Sequence, residues 1–133
     1  MDNDNFNLYR FLEAQEHDYP TALQEIKNGE KVSHWIWYIF PKLKREGYNQ
    51  SWNNKYFGLD GMEEAKAYLE HPVLGARLRE ITIALLAYKG ERDILDIMGN
   101  DVDVKKLKSC MTLFDGISPN DVFAQVLEAF WSV

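Results

Sequence analysis

The sequence has one cysteine, Cys110, and no long hydrophobic run. A single cysteine excludes an internal disulfide and is typical of a reducing compartment. The longest apolar runs, residues 35–40 and 83–88, are far shorter than the roughly 20 residues that a membrane-spanning helix needs. Residues 1–5 are acidic and polar, whereas a secretory signal is basic and then apolar. The sequence therefore predicts a cytoplasmic protein without a membrane partner.

Positive charge is also scarce. The chain carries 15 Lys and Arg against 21 Asp and Glu, which gives a net charge of -6. A surface that neutralises nucleic-acid phosphates needs an excess of cations on at least one face. General nucleic-acid binding is therefore not expected, although a local basic patch is compatible with this composition.

The usual signatures of metal and cofactor sites are missing. The three histidines, His17, His34 and His71, share no ligand spacing, and Cys110 has no second cysteine beside it. Metal sites usually combine such ligands at short, regular intervals. Neither a Walker-type nor a dinucleotide-type glycine pattern occurs. We predict no bound metal and no cofactor.

Alternation of period two is absent, and apolar residues instead recur at helical spacing. A chain of 133 residues, 46% of them hydrophobic, fits one core. We therefore predict an all-α fold in which residues 1–133 form a single compact domain. About seven short helices should surround a central aromatic helix.

The central helix is predicted from the aromatic segment 33–42. Ser33 is a possible N-cap, and Pro41 disfavours helical geometry in the residue before it. A stripe with steps of three and four positions supports a helix, because such residues share one face. Trp37 and Tyr38 would lie on or near the opposite face. The stripe consists of Val32, Trp35, Ile36, Ile39 and Phe40.

Helix boundaries elsewhere follow from caps, glycines and prolines. Residues 8–16 form a predicted first helix, and Pro20 begins a separate second helix that ends at Gly29. Residues 42–61 are expected to be a long surface loop. Four further helices are expected, and each has a start signal in the sequence. The signals are a capping box at residues 60–63, His71-Pro72, the caps Asp101 and Asp103, and Ser118-Pro119. Residues 94–98 are expected to form a short amphipathic turn.

Several polar residues lie beside these apolar stripes. His34 fits a general acid or base, a stacked ligand contact, or a buried histidine bonded to backbone. Trp37 fits either stacking on a planar ligand or packing against another helix. Cys110 fits core packing, with catalysis together with His34 as the alternative. Arg77 is a cation at the edge of a stripe, where a solvated head is the alternative.

A second polar cluster is predicted on the helix after Asp103. Lys106 and Ser109 are three residues apart and therefore share a face, near Thr112. Such a face suits an anionic or carbonyl ligand, and it equally suits water. Lys42 begins the basic segment after the aromatic helix. The candidate ligand-binding residues are His34, Trp37, Lys42, Arg77, Lys106, Ser109 and Thr112.

Several of these motifs resemble a bacterial family known as domain of unknown function 1810, whose members are sometimes labelled calpastatin. The resemblance covers nearly the whole chain and implies an all-helical single domain with no established activity. Nothing in the sequence resembles a calpastatin inhibitory repeat. Lys42 and Cys110 stand where Gln and Ser are usual in the family. The motifs are Phe11-Leu12-Glu13-Ala14-Gln15, Gly29-Glu30-Lys31, Ser33-His34-Trp35-Ile36-Trp37-Tyr38-Ile39-Phe40-Pro41, His71-Pro72-Val73-Leu74-Gly75 and Ser109-Cys110-Met111-Thr112-Leu113-Phe114.

The leading functional hypothesis is a domain that binds a small polar or anionic ligand, such as a nucleotide derivative, between the aromatic helix and the Lys106 helix. One alternative is a hydrolase, N-glycosidase-like, acting on a modified nucleotide with His34 or an acidic residue as its acid or base. Another is a protein-interaction module, in which Trp37 or Trp52 should be exposed. The sequence leaves the oligomeric state open.

Overall fold

The structure is a computed structural model that describes residues 6–45 and 51–132. It confirms the all-α prediction, because the described residues form helices and no sheet. No helix within these ranges is long and apolar enough to cross a bilayer. In chain order the eight helices of the described residues are α1 (Tyr9–Lys27), α2 (Ile36–Ile39), α3 (Trp52–Phe57), α4 (Met62–Glu70), α5 (Leu74–Leu86), α6 (Ile94–Met98), α7 (Asp101–Ile117) and α8 (Val122–Trp131).

Helix α1 is continuous, so the predicted break at Pro20 is wrong. Proline removes one backbone donor and usually costs about 3 kcal/mol inside a helix. Pro20 lies on the exposed side of α1, whereas its other side is buried both before and after the proline. Burial of that continuous face favours one long helix despite the missing hydrogen bond. The buried face consists of Phe11, Gln15, Tyr19, Ala22 and Ile26.

The aromatic segment is buried as predicted, but its helix is only four residues long. Trp35 is 1% exposed and Phe40 is also fully buried, whereas Val32 is 71% exposed and does not belong to the stripe. The predicted cap is also wrong, because Trp35 precedes α2 and the Ser33 hydroxyl donates instead to Glu25. Glu25 also accepts hydrogen bonds from the backbone N–H groups of Val32 and Ser33 and from the Trp35 indole, and so holds the segment before α2 outside the helix.

The segment predicted as a surface loop has structure of its own. Helix α3 begins after Ser51, whose hydroxyl accepts a hydrogen bond from the Asn54 N–H. Leu43 and Leu59 then form an isolated parallel bridge. Residues 46–50, which also belong to the predicted loop, lie outside the described residues.

Three predicted helix caps are displaced by a few residues. The Asn100 side chain caps α7 in place of Asp101 or Asp103, and Asp121 caps α8 in place of Ser118. At α4, Glu64 reaches back to the Asp60 N–H, one residue later than the predicted capping box. Short polar side chains occur close together at each of these ends, and the structure determines which of them has the cap geometry.

Aromatic rings connect the helices through the core. Phe11 on α1 lies edge-on to Tyr68 on α4, with ring centroids 5.0 Å apart. Tyr68 lies 5.9 Å from Phe114 on α7, and Phe114 lies 5.7 Å from Phe123 on α8. These rings are fully buried, so α7 is held against the rest of the chain through one face and its other face remains free for a site.

Candidate functional site

A surface groove of about 530 Å³ lies between residues 42–43 and helix α7. Three of the side chains at the groove are lysines and two are hydroxyl-bearing residues. Acidic residues are absent from its lining within the described part of the chain. The lining residues are Lys42, Leu43, Lys105, Lys108, Ser109, Thr112 and Leu113.

The helical period of α7 explains why its groove-lining side chains lie together on one face. Lys105, Lys108, Ser109 and Thr112 are spaced three, four and seven residues along the helix and so share one exposed face. The opposite face packs into the core through Leu107, Cys110, Met111 and Phe114.

Two contacts fix the start of α7. The Asn100 side chain accepts a hydrogen bond from the Asp103 N–H at 2.8 Å. Asp103 also forms a salt bridge with Lys31, whose Nζ lies 2.8 Å from the carboxylate, and both side chains are largely buried. This ion pair attaches α7 to the segment that precedes α2.

The chain around Leu59 positions the other side of the groove. The Leu59 N–H donates to the Lys42 carbonyl at 2.9 Å, and the Lys44 N–H donates to the Leu59 carbonyl at 2.7 Å. Gly58 permits this close approach, because a Cβ at that position would lie 2.7 Å from Lys44 Cα. Lys42 therefore enters the groove from a backbone that is held at two points.

Trp37 lies beside the groove and contacts two ammonium groups. Lys106 Nζ is 4.5 Å from the Trp37 ring centroid, and Lys42 Nζ is 5.4 Å from it. Both distances fit cation–π contacts. Lys106 also has a carboxylate at 3.9 Å, that of Asp103. Trp37 is half-buried.

The lysines that line the groove have no acidic partner in the part of the chain that the structure describes. Within the described residues, none of Lys42, Lys105 and Lys108 has an acidic side chain within salt-bridge distance. Partial burial and the positive charges of Lys106 and Arg45 lower the pKa of Lys42. Excess positive charge in a confined space favours the binding of an anion.

The structure brings together five of the seven predicted site residues. Lys42, Ser109 and Thr112 line the groove, and Trp37 and Lys106 lie next to it through their contacts with Lys42 and with each other. These five residues come from both blocks that the sequence indicated.

The other two predicted residues lie elsewhere. His34 is exposed and does not line the groove. Arg77 faces α1, where its Nη1 donates to Gln15 Oε1 at 3.2 Å and its guanidinium lies 5.2 Å from the Tyr19 ring centroid. The apolar stripe of α5 correctly predicted that Arg77 lies at the edge of that stripe. It did not indicate that α1 is the helix opposite Arg77.

Sequence reasoning missed Lys105 and Lys108, although a signal was present. Residues 105–108 contain three lysines, and two of them continue the face of Ser109 and Thr112. The predicted site residue of the three, Lys106, is the one that contacts Trp37. A helical wheel of 105–112 drawn from Ser109 would have selected the correct face.

Two candidate roles from the sequence concern packed side chains. Tyr38 donates its hydroxyl hydrogen bond to Asp18, and its ring lies 5.0 Å from that of Phe57. Cys110 is fully buried on the core face of α7, and burial raises the pKa of its thiol. No group of three His, Cys, Asp or Glu side chains in the described residues is arranged to hold a metal ion.

Comparisons with known proteins identify relatives without a known activity. Residues 5–133 match the model of a family described as "Protein of unknown function (DUF1810)". A solved structure, that of the conserved hypothetical protein Rv1873 from Mycobacterium tuberculosis, is 38% identical with a TM-score of 0.88. The similarity covers 96% of this chain and 89% of that one. A search of curated proteins found no match.

Proposed function

Because this chain belongs to the DUF1810 family of proteins of unknown function, we propose its function from the groove: it binds a small anionic ligand, such as a nucleotide derivative, between residues 42–43 and α7. The observation that carries this proposal is the convergence of Lys42, Lys105 and Lys108 on one groove, which no acidic residue among residues 6–45 and 51–132 lines.

The contrast with the whole chain strengthens this argument. The protein has a net charge of -6. Three lysines in one groove, without an acidic partner among the described residues, therefore differ from its average surface. A unit charge at 4 Å from another is worth about 4 kcal/mol at the effective dielectric of a protein surface. A phosphate in the groove would relieve the mutual repulsion of the lysines and gain this attraction.

Two features favour an organic anion over a simple ion. The hydroxyls of Ser109 and Thr112 can donate and accept hydrogen bonds beside the cations. The indole of Trp37 lies next to Lys42, and aromatic rings at such positions support planar groups by stacking. A phosphate with an attached base or sugar could contact the lysine cations, the hydroxyl groups and the indole ring together.

The hydrolase alternative has less support than ligand binding. It requires His34 or an acidic residue beside the reacting bond. His34 is exposed outside the groove, and no acidic residue of the described part of the chain lines it.

An interaction module has one observation in its favour. Trp52 is 66% exposed, and its ring stacks on Tyr56 at 4.8 Å. Sedimentation over a range of protein concentrations tests this second candidate. We expect the wild type to self-associate and Trp52→Ser to abolish the association. A wild type that is monomeric at every concentration would count against an interaction module.

Isothermal titration with AMP, adenosine and pyrophosphate tests the ligand-binding proposal. We expect the two phosphate-bearing compounds to bind and adenosine to bind more weakly, because the lysines recognise the charge. The double variant Lys105→Gln/Lys108→Gln should weaken AMP binding at least about tenfold, which corresponds to about 1.4 kcal/mol. Binding should also weaken with added salt.

A matched variant separates a local effect from a change in net charge. Lys66 and Lys89 are exposed lysines on or after other helices, and Lys66→Gln/Lys89→Gln removes the same charge elsewhere. We expect this control to bind AMP like the wild type. Equal losses in both double variants, or no binding of either phosphate-bearing compound to the wild type, would refute the proposal.

A further inference from the structure

We infer that Lys42 is the nucleophile of the groove and that its ε-amine condenses with the carbonyl group of a small anionic aldehyde or 2-oxo acid. The inference rests on the proposed anion-binding function and names a ligand class for the same groove. It starts from a difference between Lys42 and the other lysines around it.

Lys42 and Lys106 both contact the indole ring of Trp37. Lys106 Nζ lies closer to the Trp37 centroid, at 4.5 Å against 5.4 Å for Lys42, and Lys106 also has Asp103 at 3.9 Å. Lys42 is the half-buried lysine of this pair that has no carboxylate partner in the described residues, so it is the one that gives up a proton more easily.

Burial and the neighbouring charges act on Lys42 in the same direction. Desolvation disfavours an ammonium ion, and the charges of Lys106 and Arg45 repel it, so the pKa of Lys42 is lowered. An amine next to other cations is a recurrent arrangement for lysines that attack carbonyl carbons, because only the neutral amine has a free electron pair.

Two other lysines of the described residues have carboxylate partners. Lys31 pairs with Asp103 at 2.8 Å, and Lys44 pairs with Asp60 at 3.0 Å. Lys105 and Lys108 are exposed on α7 and line the groove. They would hold the carboxylate or phosphate of the ligand, while Lys42 approaches from the opposite side of the groove.

The chemistry balances without an oxidant or reductant. The Lys42 electron pair forms a C–N bond to the carbonyl carbon, and the carbonyl electrons move to its oxygen, which takes up a proton. The first proton on that oxygen replaces one lost by the attacking nitrogen, which gives a neutral carbinolamine. The C–O bond then breaks as the C=N bond forms, and the second nitrogen proton joins the departing hydroxide, so that one water leaves. Ser109 and Thr112 line the same groove and can donate hydrogen bonds to the oxygen as it gains charge.

Reductive trapping tests the inference. The full chain is treated at neutral pH with glyoxylate and cyanoborohydride, which delivers hydride to the imine carbon and leaves a stable carboxymethyl group on the amine. Peptide mapping by mass spectrometry then compares Lys42 with the exposed Lys66 in the same sample. We expect Lys42 to be modified several-fold faster than Lys66. Propanal, which has no charge, should show a smaller preference for Lys42.

Two variants separate nucleophilicity from anion binding. Lys42→Arg keeps the charge but has no nucleophilic amine, so it should lose the label at this position and still bind pyrophosphate. Lys105→Gln/Lys108→Gln should slow the labelling of Lys42 by glyoxylate and leave its labelling by propanal unchanged.

The outcomes distinguish this inference from the proposed function. If pyrophosphate binds but Lys42 reacts no faster than Lys66, the nucleophile is wrong and the anion-binding groove stands. If pyrophosphate does not bind to the wild type, the proposed function is wrong, and the inferred class of anionic carbonyl compounds fails with it.

Discussion

The carboxylate of Glu25 accepts a hydrogen bond from the indole Nε1 of Trp35 at 2.9 Å. The same carboxylate accepts from the Ser33 hydroxyl at 2.6 Å and from the backbone N–H groups of Val32 and Ser33 at 2.8 and 3.0 Å. One side chain of α1 therefore satisfies four donors in the segment that leads into α2, and it sets where the buried aromatic residues begin.

Replacing Glu25 should destabilise the protein. Glu25→Ala leaves these donors without their acceptor, and we expect it to lower the free energy of unfolding by about 2–3 kcal/mol. Urea unfolding measures the change. Glu16 lies on the same helix and is exposed, so Glu16→Ala should stay within about 0.5 kcal/mol of the wild type. Similar losses for the two variants would contradict the assigned role of Glu25.

Glu25 should also make stability depend on pH in a defined window. Burial raises the pKa of Glu25, but hydrogen bonds from Ser33, Val32 and Trp35 outweigh burial and lower it to about 2, from an ordinary value of 4.5. The folded state therefore binds fewer protons than the unfolded state between these values, and stability rises with pH there. The contribution of the charge is present above about pH 4.5 and is lost towards pH 2.

Unfolding of the wild type and of Glu25→Ala at several pH values measures this contribution. The difference between their free energies should narrow as the pH falls from about 4.5 to about 2. Arg79 lowers the pKa of Asp121 to about 2 as well, but Asp121 is present in both proteins and cancels in the comparison. A difference that stays constant across the window would show that the Glu25 charge does not stabilise the fold.

Arg10 and Glu64 form a buried ion pair, with 2.8 Å between Nη2 and Oε2. Glu64→Gln should lower the free energy of unfolding by about 3–5 kcal/mol, because it leaves the guanidinium without a counter-charge. Arg10→Leu should cost more, since Arg10 also donates to four backbone carbonyls that would lose their donor. These belong to Phe6, Asn7, Tyr56 and Gly58.

Glu63 supplies the control for this ion pair. It is the exposed neighbour of Glu64 on α4, and Glu63→Gln should leave stability within about 0.5 kcal/mol of the wild type. Chemical unfolding of the three variants measures their free energies of unfolding and so ranks the three losses of stability. A smaller cost for Arg10→Leu than for Glu64→Gln would show that the carbonyl contacts contribute little.

Cys110 should be unreactive in the folded protein. It is fully buried, and burial raises the pKa of its thiol, so the reactive thiolate is scarce. We expect a disulfide reagent such as DTNB to react at the rate of unfolding in native buffer and at once in concentrated urea. Rapid modification of the folded protein would contradict the packing interpretation and restore Cys110 as a candidate nucleophile.

Local signals predicted most of the helices. Apolar stripes with glycines and prolines between them indicated α4 to α8, because each of these helices buries one face and ends at a residue with strong local preferences. The signals failed at Pro20 and Ser33. At both positions the outcome depends on a distant partner: the buried face of α1 in one case, and the carboxylate of Glu25 in the other.

Part of the candidate site also follows from local sequence signals, and part depends on residues distant in the chain. The α7 face with Ser109 and Thr112 follows from helical period, so the sequence predicts it. The position of Lys42 depends on Leu59 and on the space above Gly58, which no local pattern shows. His34 stood out because of its aromatic neighbours in the chain, yet neighbours in sequence do not place a side chain in a groove.

Gly58 offers a test of how the groove is built. A Cβ at this position would lie 2.4 Å from the Asn54 carbonyl oxygen and 2.7 Å from Lys44 Cα, and both obstacles are backbone. Gly58→Ala should therefore push residues 42–44 away from Leu59 and lower the free energy of unfolding by about 1–3 kcal/mol. Because Lys42 moves with this segment, binding of pyrophosphate should weaken in isothermal titration.

The control for Gly58 is Gly116 on α7, where an added Cβ would meet nothing within 4 Å. Gly116→Ala should raise stability by about 0.5–1 kcal/mol, since alanine favours a helix over glycine, and it should leave pyrophosphate binding unchanged. If Gly58→Ala loses stability but binds pyrophosphate like the wild type, the approach of residues 42–44 to Leu59 supports the fold without shaping the groove. Loss of both properties in this variant alone would connect the backbone contact at Gly58 with the position of Lys42.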